Sequence, residues 1–210
     1  KIDDPLVRYY DEYVRADALG LKSGEHTISV QGIMANGDVT EASSATVTVV
    51  DHDRSGYAFT GDQTPGAYKM DGSLKDDAVV LYVTASNAKT VSYNDIKGLQ
   101  NIIGESNAKN YTVPLCVRII GKVSIDDVDS NSKGWSSSEG LQIKNNKSPI
   151  TIEGVGEDAT IWGFGLMARN SSYIEYSNLA VMNFMDDGIS LDTGNKYTWV
   201  HNMDFFYGST

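Results

Sequence analysis

The sequence predicts an all-β chain whose larger part is a right-handed parallel β-helix, a solenoid with rungs of about 24 residues and an N-terminal capping helix. A partial β-sandwich module precedes it. Three observations carry the prediction. From Leu141 onward short apolar strands repeat at a fixed phase of 24 residues. Gly and Asn turns separate those strands and leave no room for helices between them. Nearer the start, the order from His26 to Val50 alternates apolar and polar residues, as antiparallel sandwich strands do.

The 210 residues divide into residues 1–52, a partial fibronectin type III-like segment; 53–77, a linker; and 78–210, the solenoid. In the first part His26, Ile28 and Val30 share one face and Thr27, Ser29 and Gln31 the other. Asn36-Gly37 predicts a hairpin turn, and Thr46 to Val50 the returning strand. These residues, with GLKSGEH before them, resemble the last strands of a fibronectin type III-like domain, with His26 where that family's corner tyrosine is expected. Two strands cannot bury both faces of a sandwich. The stretch 53–77 is rich in turn formers and charges, and its acids Asp53, Asp76 and Asp77 read as solvated.

Ala78 to Thr84 is a buried strand, and Ile96, Leu99, Ile102 and Ile103 recur at helical spacing after an Asn94 cap, which predicts a helix over 94–104. Val117 to Val123 is the next strand. The polar tract from Asp126 to Glu139 is a long loop whose Trp135 could stack on a sugar ring or fold back onto the domain.

In the repeat, LQIK at Leu141, GLMA at Gly165 and ISLD at Ile189 share a phase, as do the strands starting at Ile150, Ile174 and Thr198. Stacking then predicts interior columns of Ile143, Met167 and Leu191, and of Ile152, Tyr176 and Val200. Gly154, Asn178 and Asn202 fall at one position, with Asn178 over Asn202 beginning an amide ladder. A large sandwich would pair its strands as hairpins and has no need of a constant phase.

A formal charge of −11 argues against nucleic acid and anionic membrane surfaces as partners, and no run of ~20 apolar residues suggests a membrane span. An acidic protein handling an acidic substrate needs a cation to bridge them. Cys116, the only cysteine, sits in the apolar run PLCVRII and reads as buried.

PLCVRIIGKV, SPITIEGVGEDATIWGFGL, YIEYSNLAV and DDGISLDTGNKYTWVHNMDFF follow one another as do the strands of the Ca²⁺-dependent parallel β-helix pectate lyases, which residues 78–210 resemble. The resemblance implies a polysaccharide lyase that cleaves polygalacturonate by β-elimination, with Ca²⁺ as cofactor and acidic plant-wall pectin as partner. It further implies a secreted, periplasmic or cell-surface location and a monomer. By position in the family motif Asp187 is a primary Ca²⁺ ligand, with Asp186 beside it as an accessory. The family's remaining acids and catalytic arginine fall on later rungs, beyond Thr210, so this chain would hold part of a catalytic domain. Where the family reads Trp-Ile-Asp-His-Asn, Trp199-Val200-His201-Asn202 stands here. Strand parity places Asp187 in the turn before Ile189, since an extended strand would bury it, with Gly188 permitting the bend. Asp192 and Asp204 read as solvated strand-end acids, and His201 as stacked or satisfied. Two rival readings remain. Asp186 and Asp187 could be the acid and base of a polygalacturonase-type hydrolase, or turn caps in a non-catalytic polysaccharide-binding module.

Overall fold

The computed structural model describes residues 1–104, 112–131, 135–136 and 138–209. Sheet dominates, and one six-residue α-helix interrupts the strands among the described residues. In chain order the elements are β1 (Val7–Tyr9), β2 (Val14–Ala16), β3 (Gly24–Val30), β4 (Ser43–Val49), β5 (Val79–Val83), β6 (Ser92–Tyr93), β7 (Ile96–Lys97) and α1 (Leu99–Gly104). They continue with β8 (Leu115–Ser124), β9 (Trp135–Ser136), β10 (Gly140–Lys144), β11 (Ile150–Trp162), β12 (Leu166–Arg169), β13 (Ile174–Met182), β14 (Ile189–Leu191) and β15 (Trp199–Phe206).

Two sheets take alternate strands of the repeat. One has the order β15-β13-β11-β8-β5, parallel throughout; the other runs β14-β12-β10 in parallel, with β9 added antiparallel at its edge. Parallel neighbours need long connections, and here each connection is a strand of the other sheet. Leu81, Val117, Ile152 and Tyr176 line up across the first sheet and are buried, with Val200 packed on the same core. The expected column of Ile152, Tyr176 and Val200 is therefore present.

The second sheet departs from the uniform phase. Leu141 pairs with Leu166 and Leu166 with Ile189, spacings of 25 and 23 residues. Ile143 accordingly sits beside Ala168, not Met167, and a one-residue slip moves Met167 to the opposite face. Leu191 ends the column 48% exposed. The glycines set this register. A Cβ on Gly140 would collide with the Gly165 backbone, and one on Gly165 with the Asp187 carbonyl. The three loops before β10, β12 and β14 thus meet backbone to backbone at Gly140, Gly165 and the 187–188 peptide. Leu141 N–H donates to Gly165 O and Leu166 N–H to Gly188 O.

The asparagine ladder also takes another form. Asn178 and Asn202 both adopt positive φ, 51° and 50°, and turn the strand path outward. The Asn178 amide donates to the carbonyls of Gly154 and Gly156 at 2.8 and 3.1 Å rather than to another amide. Those carbonyls belong to a bulge, where β11 takes seven steps from Glu153 to Thr160 against three in β13 from Ser177 to Ala180. Arg8 holds the bulge from outside through Asp158 at 2.8 Å.

The predicted 94–104 helix starts later. Asn94 and Asp95 both have positive φ and make the two-residue turn of the β6–β7 hairpin, so α1 begins only at Leu99. Leu99, Ile102 and Ile103 are buried in the main core, as expected of a capping helix. Of the tract 126–139, residues 132–134 and 137 lie outside the described residues. Trp135 folds back, its ring 5.1 Å from that of Phe164.

β3 and β4 pair antiparallel with His26 opposite Val47, and almost all their residues are exposed. The Asn36-Gly37 turn is present, with Gly37 at φ 89° and its N–H donating to Met34 O. His26 Nε2 donates to Lys22 O at 2.7 Å, the backward side-chain-to-backbone bond that a corner tyrosine would make.

Residues 53–77 do more than link. Arg54, Ala58, Ala67 and Tyr68 are buried, and this strap lies across the outer face of the five-stranded sheet. Its composition reads as solvated because the partners that bury it are a hundred residues away. Among its acids, Asp76 pairs with Lys69 and Asp53 accepts from Ser55.

Candidate functional site

Asp187 lies where parity placed it, exposed in the turn between β13 and β14, with Asp186 exposed beside it. The turn is held from within. Asn183 N–H donates to Phe206 O, and Phe184 O accepts from Ser209 N–H. Gly188 is needed for space, not for a bend. Its φ is unremarkable, and a Cβ there would stand 2.7 Å from the Phe205 ring and 3.1 Å from that of Phe184. At the equivalent position the neighbouring loops carry Phe164 and Glu139, so Phe164 takes the place expected of Gly163.

The other acids near this edge are spoken for or stand apart. Asp192 accepts from the Thr193 N–H and from Arg169, contacts that hold its carboxyl below the usual range. It is an ion-paired cap rather than a merely solvated acid. Asp204 is exposed on β15 in register with Ala180. Among the described residues no three His, Cys, Asp or Glu side chains converge as a metal site. Asp186 and Asp187 offer hard oxygen donors of the kind Ca²⁺ accepts, but only two residues of a coordination sphere of ~6–8 oxygens.

Comparison with protein-family models, with curated proteins and with solved structures finds no match. The site therefore rests on its own geometry.

A second polar constellation escaped sequence reasoning. Two outward rows cross the five-stranded sheet under the strap: Tyr82, Arg118, Glu153, Ser177 and His201, then Val80, Cys116, Thr151, Glu175 and Trp199. Glu175, 2% exposed, accepts from Arg54 at 2.9 Å, Thr151 at 3.0 Å and His201 Nε2 at 3.2 Å. Glu153 accepts from the Tyr68 hydroxyl at 2.5 Å and Arg118 Nε at 2.8 Å. Arg54 also stands over the rings of Trp199, Phe59 and Tyr68, 5.0 to 5.6 Å from their centroids. His201 is both stacked, 3.6 Å from Trp199, and hydrogen-bonded. Burial pushes the Tyr68 hydroxyl and the Cys116 thiol up, so both stay protonated near neutrality. Every charge here is answered, and a satisfied network sealed by a strap is structural. The signal that could have found it was the placing of Arg118, Glu153 and Glu175 at alternate positions of strands otherwise wholly apolar.

All five arginines are occupied: Arg8 and Arg15 with Asp17, Arg54 with Glu175, Arg118 with Glu153 and Arg169 with Asp192. None is presented as a free base.

Lys75 ties the strap to itself, donating to Thr64 O at 3.0 Å and Gly66 O at 2.7 Å. Burial lowers its pKa to about 8 from 10.5, so the unfolded chain holds this proton over a range where the folded chain has released it. The contribution of Lys75 to stability should therefore rise with pH between about 8 and 10.5. The check is the difference in urea unfolding free energy between the wild type and Lys75→Met, which should shift toward the wild type from pH 7.5 to pH 10.

Proposed function

We propose that residues 78–210 form part of a right-handed parallel β-helix of the pectate lyase type, acting on polygalacturonate by Ca²⁺-dependent β-elimination. What supports the fold is two parallel sheets fed alternately by consecutive strands at spacings of 23 to 25 residues. What supports the chemistry is one observation above the rest: Asp187 and Asp186 are exposed in the turn leading into β14, at the position the sequence resemblance gives to a primary Ca²⁺ ligand.

In that reading Asp187 would hold the ion and Asp186 would assist, with the remaining positions open to water and substrate carboxylates. A bound Ca²⁺ links protein carboxylates to the uronate carboxylate and stabilises the charge that develops when the C5 proton leaves. The chain's own contribution is to hold two carboxylates rigidly at the rim of a stacked loop. Phe184 and Phe205 flank Gly188, and the Asp187 carbonyl rests on Gly165. Removing the C5 proton takes a base, and the ion-paired arginines described above do not supply it. We assign that role to no residue of this chain.

Incubation with polygalacturonate separates this reading from its rivals. The lyase reading expects Ca²⁺-dependent absorbance from an unsaturated product end, abolished by chelation. New reducing ends without that absorbance would make the enzyme a hydrolase using the Asp186–Asp187 pair, and neither signal with retained pectin binding would make it a binding module. Activity that survives complete chelation would sink the calcium assignment.

A further inference from the structure

The structure contains a crevice of about 360 Å³ at the amino ends of β8 and β11, far in sequence from Asp187 and lined in part by Lys75, Lys147, Ser148, Thr64 and Asp77. Pro114 and Pro149, which introduce the two strands, also border it and leave no backbone N–H there to bind a ligand. Any recognition must come from side chains. Two observations say what they would recognise.

The first is Ser148. It is 5% exposed, and its Oγ is fully shielded with no hydrogen-bond partner among the described residues. A buried hydroxyl without a partner is uncommon and marks a place where a missing group would be bonded. The second is the charge balance. Lys75 is half-buried, and its two bonds within the crevice wall go to neutral carbonyls, which leaves one N–H of the ammonium uncommitted. Lys147 adds a second positive charge against the single Asp77. In a chain of net charge −11 this is a local excess of positive charge.

We propose that the crevice binds a small oxyanion, a carboxylate or a phosphate, with Lys75 and Lys147 supplying charge and Ser148 Oγ a directed hydrogen bond. The anion neutralises two cations, and the hydroxyl donates to it. The depressed pKa of Lys75 is what a partly buried ammonium without a carboxylate partner shows, and an anion beside it restores the charged form. The site does not depend on the lyase reading. A uronate carboxylate and free phosphate share the recognised chemistry.

The test is calorimetric titration of the full chain with sodium galacturonate, inorganic phosphate and neutral galactose. It is paired with the pH dependence of acetylation at Lys75, read by mass spectrometry. Saturable binding of at least one anion but not galactose is expected, together with an upward move of the Lys75 midpoint from about 8 when that anion is present. Ser148→Ala and Lys147→Gln should each weaken binding by roughly 3- to 10-fold, one hydrogen bond or one partly screened charge. Asp77→Asn should tighten it, a change that a merely structural residue would not produce. Lys75→Met should abolish binding, and the three peripheral variants keep the test meaningful if it unfolds. Galacturonate alone binding identifies a sugar-acid subsite; phosphate alone identifies a phosphate site. The proposal fails if neither anion binds, if galactose binds equally, or if the Lys147, Ser148 and Asp77 variants leave affinity unchanged.

Discussion

Arg54→Ala should cost about 3–5 kcal/mol of folding stability, the penalty for leaving one partner of a buried ion pair uncompensated. Glu175 is 2% exposed and Arg54 7%, so water cannot replace the guanidinium without opening the strap. Thr151 and His201 would remain on the carboxylate, but neither brings a permanent positive charge. The same change empties the space between Trp199, Phe59 and Tyr68. Two measurements follow from this geometry. Urea unfolding should lose the stated free energy, and limited proteolysis should cut more rapidly within residues 54–68. The pair Arg54→Met with Glu175→Gln should lose less than the two single changes added together, because it removes both charges at once. A loss under ~1 kcal/mol for Arg54→Ala would mean the strap is held by something else.

That network shows where sequence reasoning ends. The first sheet was legible because Ile150, Ile174 and Thr198 open runs of apolar residues at a constant spacing, and stacked strands of equal length keep their register. The second sheet was legible only to within a residue. Its strands are three to five residues long, so β-propensity cannot tell Met167 from Ala168 as the partner of Ile143; the glycine contacts decide. Asn94 carried a true signal for local structure that was assigned to the wrong structure, since a helix cap and a hairpin turn favour the same residue. Arg54 and Glu175 are 121 positions apart, and no local pattern joins them. Asp187 was legible for a narrower reason, that an unpaired carboxylate is excluded from the interior and parity leaves it only the turn.

The backbone beneath Asp187 gives the last prediction its force. Gly165→Ala should destabilise the chain by about 3 kcal/mol or more, because the new methyl would occupy the space of the Asp187 carbonyl. Moving the far end of a flexible side chain would be cheap, but here the obstacle is backbone. The loop before β14 must lift away, stretching the Leu166 N–H to Gly188 O bond of 3.0 Å that fixes the start of the strand. Asp187 would be displaced although its side chain is untouched. Asp187→Asn is the complementary change. It keeps the shape of an exposed residue, so stability should move by less than ~0.5 kcal/mol, while Ca²⁺ affinity measured by calorimetry should fall by at least about tenfold. The two variants together separate position from charge. If Asp187 is a ligand, both lose calcium binding and only Gly165→Ala loses stability. If Asp187 merely caps its turn, Asp187→Asn leaves calcium binding at wild-type strength, and the proposed metal role is wrong.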